Sequence, residues 1–376
     1  MKLFFKPSMN AVNRPLRLEH ELLVYCSRVQ LDATQQEKIV SLVQQDLDWP
    51  YLVQLAYRHG VMPLLYRSLN QTCPSLVPTE TLQSLRHLFS TNAQRSLLFT
   101  AELLKFLKLF ADHQMAAVPY KGPVLADTVY GDVAFRQYCD LDIVLQEQDI
   151  LPAKQLLIEQ GYFPKDPMTE AEEIAFLQSN DEHNYTFIRA DRSVALELHW
   201  RITPRCTSII EPRHFWEHLE PSTFKGVPFV NLSLEDWLPI LCVHGSRHRW
   251  ERLTWLCDVA EILRLRGAAL DWDGVMGRSQ VLICRKMLFL GVLLAHKILD
   301  APVPPEVLRV MQSDAAVMVL MRQTYEQLMY ETRVSDQFLG KTVYQMRVSD
   351  RIQEKALYLQ SFLGWLVKGD RLELME

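Results

Sequence analysis

The sequence predicts an α+β fold in which a small mixed sheet lies between an N-terminal and a C-terminal helical lobe. Helical hydrophobic periodicity runs from residue 17 to about residue 70 and returns after about residue 230. Short extended segments with alternating polarity lie between these regions, from 117 to 202. We therefore expect a helical lobe at 1–78, an α/β core with a leading long helix at 79–230, and a helical domain at 231–376.

The N-terminal part shows the helical pattern most clearly. Apolar residues recur at helical spacing, as in Ile39, Leu42 and Val43. A segment with two prolines, 71–78, ends this region, and Thr79 follows as a helix start. The periodicity after Thr79 predicts one long amphipathic helix that runs to about Asp112 and leads into the core.

The central part changes to a mixed pattern. Asp149 is a good helix N-cap and Gly161 a good helix end, so they bound one helix of the core. The residues Ala-Asp-Arg-Ser separate two extended runs as a hairpin connection would. The predicted order is strand 117–120, helix 124–130, strand 140–145, helix 149–161, strand 184–189 and strand 194–202.

The C-terminal part is predicted to be helical throughout. Ser233 to Asp236 resembles a capping box with Asp in the place of Glu, which predicts a helix to about Gly245. A second helix is expected from about Trp250 to Arg266, because Gly267 follows it.

Composition narrows the class of protein. The 376 residues carry a formal net charge of -5, which is not the basic footprint of a protein that grips long duplex nucleic acid. Seven cysteines without a CxxC pair are typical of free thiols in a reducing compartment. The apolar run 287–295 is too short for a membrane span, and the N-terminal apolar stretch is too short for a secretory signal. We therefore expect a cytoplasmic protein.

Two carboxylates in the acidic strand are the strongest functional signal. Strand alternation directs Asp140 and Asp142 to one face, while Leu141 and Ile143 enter the core. Two such charges about 7 Å apart repel by about 2 kcal/mol at an effective dielectric constant of 20. The pair is therefore expected to bind a cation, and Mg²⁺ is the prediction.

A similar alternation supplies a third carboxylate. In the segment 194–202, Glu197, His199 and Arg201 share one face of the predicted strand. The opposite face is apolar. If this strand lies beside the acidic strand, three acids could hold two divalent ions against a triphosphate.

The span 121–145 resembles the core of nucleotidyltransferases of the DNA polymerase β type, and more narrowly their uncharacterised bacterial branch. The motifs that carry the resemblance are Lys121-Gly122, Tyr130-Gly131, Arg136 and Asp140-Leu-Asp142, followed by Gly161-Tyr162 after the next helix. Further support comes from Glu197, from the block His244 to Trp250 and from the block Trp255 to Asp258. The wider superfamily places Gly-Ser or Gly-Gly where this chain has Lys121-Gly122, so the phosphate contacts differ from the usual pattern.

The resemblance implies a Mg²⁺-dependent transfer, with Mn²⁺ as an alternative ion, of a nucleoside monophosphate from a nucleoside triphosphate to an acceptor hydroxyl. Asp140, Asp142 and Glu197 are expected to be the catalytic metal ligands. Lys121 and Arg136 are assigned to the triphosphate. Gly122 and Asp258 are also assigned to the nucleotide site. Gly122 would let the backbone approach the triphosphate closely.

Several alternatives stay open at this stage. Asp258 either pairs with Arg247, Arg249 or Arg252 inside the fold or faces the nucleotide. His183 and His199 are either ordinary histidines or substrate contacts, and the spacing of His244 and His248 is compatible with zinc but lacks a third ligand.

The acceptor is not identified by the sequence. A tRNA end, a protein side chain, a modified peptide and a small metabolite are all compatible with it. The alternative function is a degenerate relative that binds nucleotide or a protein partner without catalysing transfer.

Overall fold

A computed structural model describes residues 15–205, 212–331 and 338–367 of the chain. In the N-terminal part, the described helices are α1 to α5, with bounds Leu18–Cys26, Ala33–Val43, Trp49–Arg58, Met62–Thr72 and Thr79–Asp112. Asp32 caps α2 in a reciprocal capping box with Gln35, which satisfies two otherwise unpaired backbone donors. Helix α5 has the bounds that the sequence predicts.

The central part contains the predicted strands and helices. Its described elements are β1 Val118–Tyr120, α6 Gly122–Leu125, a π-helical turn Ala126–Tyr130, β2 Leu141–Val144, a 3₁₀ turn Glu147–Asp149, α7 Ile150–Glu159, β3 Tyr162–Pro164, α8 Glu170–Gln178, β4 Asn184–Arg189, β5 Ala195–His199, α9 Pro212–Glu217, β6 Glu220–Phe224 and β7 Val227–Asn231. The predicted order of strand, helix, acidic strand, helix and hairpin is confirmed. Strand β3, helix α8 and the hairpin β6–β7 were not anticipated.

The main sheet of the described chain has five strands in the order β1-β2-β5-β4-β3. Strand β2 pairs with β5 in parallel and with β1 in antiparallel orientation. The hairpin β4–β5 is antiparallel, as its connection predicts. Because β2 and β5 are neighbours, the two polar faces that the sequence analysis identified lie side by side.

The C-terminal part is helical. Its described helices are α10 Leu234–Arg247, α11 Leu253–Arg266, α12 Trp272–Val281, α13 Arg285–Leu299, α14 Pro305–Gln312, α15 Ala315–Tyr330, α16 Phe338–Val348 and α17 Ile352–Val367, with a 3₁₀ turn Gly267–Ala269 after α11. The Ser233 side chain accepts a hydrogen bond from the backbone N–H of Asp236, which makes it the N-cap of α10. Helix α11 begins three residues later than predicted, because Trp250 has a backbone φ of 55° that a helix cannot contain.

Two hydrophobic cores organise these elements. One contains Phe106 of α5, Ile143 of β2 and Leu198 of β5, so it packs the long helix against the sheet. The other contains both Leu22 of α1 and Leu290 of α13. The N-terminal and C-terminal helices therefore share one core, and the three-part division of the chain stays a prediction.

The cysteines of the described residues are free thiols, namely Cys26, Cys73, Cys139, Cys242, Cys257 and Cys284. Cys206 lies outside the described residues. Along the described chain, every helix is too short or too polar to cross a membrane.

Candidate active site

The parallel pairing of β2 and β5 brings two acids together. Asp142 and Glu197 are register partners across these strands, and His199 lies two residues beyond Glu197 on the same face. The opposite faces of the strands carry Ile143 and Leu198, which are fully buried in the core. Burial of these apolar side chains fixes the register, and the register sets the two acids next to each other.

His199 lies between the two acids. Its Nε2 atom is 3.0 Å from Oδ1 of Asp142 and 3.3 Å from Oε2 of Glu197. One potential ligand atom from each of the three residues lies within 4.8 Å of the others. We call Asp142, Glu197 and His199 the acid–histidine cluster. Asn184 of β4 donates a hydrogen bond to Glu197 and so orients this carboxylate.

Lys121 contacts the cluster from the end of β1. Its Nζ atom is 3.3 Å from Oδ2 of Asp142, so Lys121 contacts one oxygen of this carboxylate and His199 contacts the other. The backbone of Lys121 has φ 68°, and Gly122 follows with φ 49°. A side chain at positive φ costs of order 1 kcal/mol, and such strain concentrates at functional sites. A Cβ at Gly122 would meet no atom within 4 Å, so this position requires glycine for its backbone conformation alone.

The ionisation of the cluster follows from burial and neighbouring charge. Burial opposes ionisation of Asp142, but the charge of Lys121 and the hydrogen bond from His199 outweigh it and lower the pKa to about 2. Burial also opposes ionisation of Glu197, yet the hydrogen bond with His199 lowers its pKa. Burial would lower the pKa of His199, but its bonds to both acids raise it. Both carboxylates are therefore charged at neutral pH.

Asp140 lies immediately before β2, which begins at Leu141. Burial, with the adjacent charge of Asp142, raises its pKa to about 6. The structure thus places Asp140 within electrostatic reach of the cluster. In the part of the chain that the structure describes, the group of ligand atoms close enough to share one ion consists of Asp142, Glu197 and His199.

Arg136 and Asp258 are paired with each other. Nε and Nη2 of Arg136 each lie 2.8 Å from a different oxygen of Asp258, and the Tyr130 hydroxyl donates a third hydrogen bond at 2.6 Å. Both side chains are almost fully buried. The structure thus pairs the two residues with each other inside the fold. Their assignment to the nucleotide stays a prediction. Since a lone buried carboxylate is costly, Asp258 needs such a partner, and Arg136 of the core provides it.

Three further histidines surround the cluster. The His183 ring packs 5.5 Å from the His199 ring, and Arg247 donates to its Nε2 at 2.7 Å. His244 and His248 pack against each other and against Trp255. Burial, reinforced by nearby positive charge, lowers the pKa of all three, so they are neutral at pH 7. Within the described residues, the Nδ1 atoms of His183 and His199 are buried without a hydrogen-bond partner.

A cavity of about 210 Å³ adjoins Lys121. It is lined by β1, by α6 and the π-helical turn, by the β6–β7 hairpin, and by the start of α10, with Thr128, Asn231 and Trp237 among its residues. The cavity combines apolar walls with hydroxyl and amide groups, as small-molecule sites do. The unanticipated β6–β7 hairpin therefore contributes to the surroundings of the site.

Sequence reasoning placed Asp142, Glu197 and His199 on the right faces. His199 was interpreted as either an ordinary histidine or a substrate contact, and the structure places it in contact with both acids. Its position two residues after Glu197 was the available signal. It did not find Asn184, since only the antiparallel pairing of β4 with β5 brings this residue to Glu197.

Comparison with known proteins adds one finding. A sequence model of the family described as "uncharacterised nucleotidyltransferase" matches residues 45–300, which is well over half of the chain. The matched region includes Lys121, the acid–histidine cluster and Asp258. No curated protein and no solved structure matches the chain significantly.

Proposed function

We propose, on the premise that the chain belongs to this family of uncharacterised nucleotidyltransferases, that it transfers a nucleoside monophosphate from a nucleoside triphosphate to an acceptor hydroxyl and releases pyrophosphate. The observation that carries the proposal is the register pairing of Asp142 with Glu197, together with His199 between them. This arrangement concentrates negative charge and ligand atoms at one point of the sheet.

The residues of the cluster fit a divalent ion. Two carboxylates charged at neutral pH and an imidazole nitrogen provide three ligand atoms within 4.8 Å of one another. Asp140 is proposed as a further ligand, since it directly precedes β2. Mg²⁺ or Mn²⁺ bound here would offset the charge of the triphosphate and orient the α phosphorus for in-line displacement.

Lys121 is proposed to bind the triphosphate. Its ammonium group already lies beside Asp142, and a compact cation of this kind suits phosphate oxygens. Gly122 allows the backbone of this turn to approach the phosphates closely. The adjoining cavity gives room for a substrate group next to Lys121.

Arg136 and Asp258 take a different role in this proposal. Their ion pair ties the loop between the π-helical turn and β2 to helix α11, and it thereby holds the acidic strand against the C-terminal helices. They are positioning residues rather than contacts of the nucleotide.

The acceptor is proposed only by class. A tRNA end, a protein side chain, a modified peptide or a small metabolite each offers a suitable hydroxyl. The net charge of -5 disfavours long duplex nucleic acid. Six free thiols among the described residues are in keeping with a reaction in the cytoplasm.

The test is to locate a transferred label. The protein is incubated with each of the four ribonucleoside triphosphates, labelled at the α phosphorus, together with a cell extract and Mg²⁺ or Mn²⁺. Label is expected to pass to a macromolecule or metabolite with the native protein and with Glu159→Gln, an exposed acid at the end of α7, but not with Glu197→Gln.

The alternative function is nucleotide binding without transfer. If a nucleoside triphosphate raises the melting temperature while no label moves and no pyrophosphate is released, the chain is a degenerate binder and the transferase proposal is wrong.

A further inference from the structure

The position of His199 bears on which ion the cluster accepts. Its Nε2 atom faces Oδ1 of Asp142 at 3.0 Å and Oε2 of Glu197 at 3.3 Å. A ring nitrogen carries at most one hydrogen, and one hydrogen makes one well-aligned bond. Two carboxylate oxygens therefore converge on a nitrogen that can satisfy only one of them by donation. An ion that replaces this hydrogen would satisfy both.

The two distances from His199 Nε2 to the carboxylate oxygens match the distances between neighbouring ligands of one metal ion. Ligand atoms at about 2.1 Å from a metal are roughly 3.0 Å apart along an octahedral edge and roughly 3.4 Å apart along a tetrahedral edge. The two separations at His199, 3.0 and 3.3 Å, fall in this range. Both carboxylate oxygens thus lie at ligand spacing from Nε2, and the three atoms lie within 4.8 Å of one another.

The His199 ring is held in place by its neighbours. It packs edge-on against the rings of His183 and Tyr120, with centroids 5.5 and 5.9 Å away. The side chain is almost fully buried, and Asn184 holds the facing carboxylate of Glu197. A ring fixed in this way presents Nε2 to the ion with little loss of side-chain entropy.

The type of ligand atom then selects the ion. Mg²⁺ is a hard ion that prefers oxygen ligands and retains its waters, whereas imidazole nitrogen favours divalent transition metals. We propose that His199 Nε2 is a direct ligand beside Asp142 and Glu197, and that the cluster therefore binds a divalent transition metal, such as Mn²⁺ or Zn²⁺, in preference to Mg²⁺. This inference rests on the proposed function, because it names the ion of the same site.

Pulsed electron paramagnetic resonance of the full-length protein with one equivalent of Mn²⁺ tests the inference. The spectrum is expected to show nitrogen coupling that changes when the histidines are labelled with ¹⁵N. Bound Mn²⁺ should persist in a 100-fold excess of Mg²⁺. Because the labelling experiment uses the unmutated protein, it does not depend on whether a variant folds.

Substitutions test whether His199 is the histidine that supplies the nitrogen ligand. His199→Gln is expected to abolish the nitrogen coupling, while His248→Gln, a nearby histidine outside the cluster, should keep it. His199→Asp supplies a third carboxylate in place of the imidazole. It is expected to retain an ion but to lower the preference for Mn²⁺ over Mg²⁺ by at least tenfold.

Failure of this inference is separable from failure of the proposed function. Bound Mn²⁺ without nitrogen coupling, displacement by equimolar Mg²⁺, or no Mn²⁺ binding would each overturn the inference. Pyrophosphate release with Mg²⁺ alone would leave the transferase proposal standing in all three cases.

Discussion

The guanidinium of Arg136 and the carboxylate of Asp258 form a two-point ion pair across 122 positions of the chain, with both N···O distances at 2.8 Å. Tyr130 adds a third bond to the same carboxylate. This pair joins the loop that leads into the acidic strand to helix α11. It makes the C-terminal helices part of the framework that positions the candidate active site.

Breaking this pair should destabilise the protein without any nucleotide present. Arg136→Met leaves the buried carboxylate of Asp258 without its cationic partner, which costs about 3 to 5 kcal/mol. The double variant Arg136→Met/Asp258→Leu removes both charges and should lose less stability than the sum of the single variants. Urea unfolding of the four proteins measures this coupling. Additive losses would contradict the structural role given to the pair.

Protonation of His59 should weaken the fold at mildly acidic pH. Its Nδ1 accepts a hydrogen bond from the backbone N–H of Leu253, and burial, together with the charge of Arg58, lowers its pKa to about 4. The unfolded chain has the ordinary histidine pKa of about 6.5, so between these values it binds a proton that the folded state does not. Stability is therefore expected to fall as the pH decreases through this window.

The contribution of His59 can be isolated by mutation. It amounts to about 2 kcal/mol between pH 7.5 and pH 5. His59→Asn keeps an acceptor but does not titrate, so urea unfolding at the two pH values should show a smaller decline than in the native protein. An equal decline in both proteins would show that His59 is not responsible.

A side chain at position 245 is predicted to destabilise the protein. A Cβ at this position of α10 would lie 2.3 Å from the Trp250 ring. Gly245→Ala is therefore expected to cost about 1 to 3 kcal/mol through overpacking. Gly277→Ala in α12 is the matched control, because its Cβ would meet no atom within 4 Å, and it should be neutral or slightly stabilising. Equal melting temperatures for the two variants would contradict this packing.

Lys121→Met should change ion binding and nucleotide binding in opposite directions. Removal of the ammonium 3.3 Å from Asp142 eliminates repulsion of a divalent cation, so Mn²⁺ should bind at least as tightly as before. The triphosphate loses its cation and should bind at least tenfold more weakly. Titration calorimetry with each ligand measures both effects, and Lys105→Met, on the exposed side of α5, is the control. If Lys121→Met binds both Mn²⁺ and the triphosphate more weakly, the substitution has caused a general loss of structure.

The parts of the site that depend on local alternation were predictable from the sequence. Asp142 and Glu197 each lie in a strand whose alternate residues are apolar, so the face they occupy follows from burial. We expected β2 and β5 to be adjacent in the sheet, and the strand order confirms this. The bounds of α5 followed from its long amphipathic pattern and the prolines before it.

The remaining parts depend on contacts between distant segments. Nothing near Asp258 in the sequence identifies Arg136 as its partner, and the arginines close to it in the chain were the natural candidates. His199 shares a face with Glu197, but its contact with Asp142 exists only because β2 and β5 are paired in register. The roles of Asp140 and Lys121 toward a metal and a nucleotide stay predictions.

Release of pyrophosphate tests most directly whether the cluster is the catalytic metal site. It is measured with each nucleoside triphosphate, Mg²⁺ or Mn²⁺ and a cell extract, for the native protein, Asp142→Asn and Asp46→Asn. Asp46 is exposed on the N-terminal part of the chain and serves as the control. We expect equal rates for the native protein and Asp46→Asn, and a loss of at least about 100-fold in folded Asp142→Asn, because the ion loses a charged ligand. Undiminished release by Asp142→Asn would contradict the proposal that the cluster is the catalytic metal site.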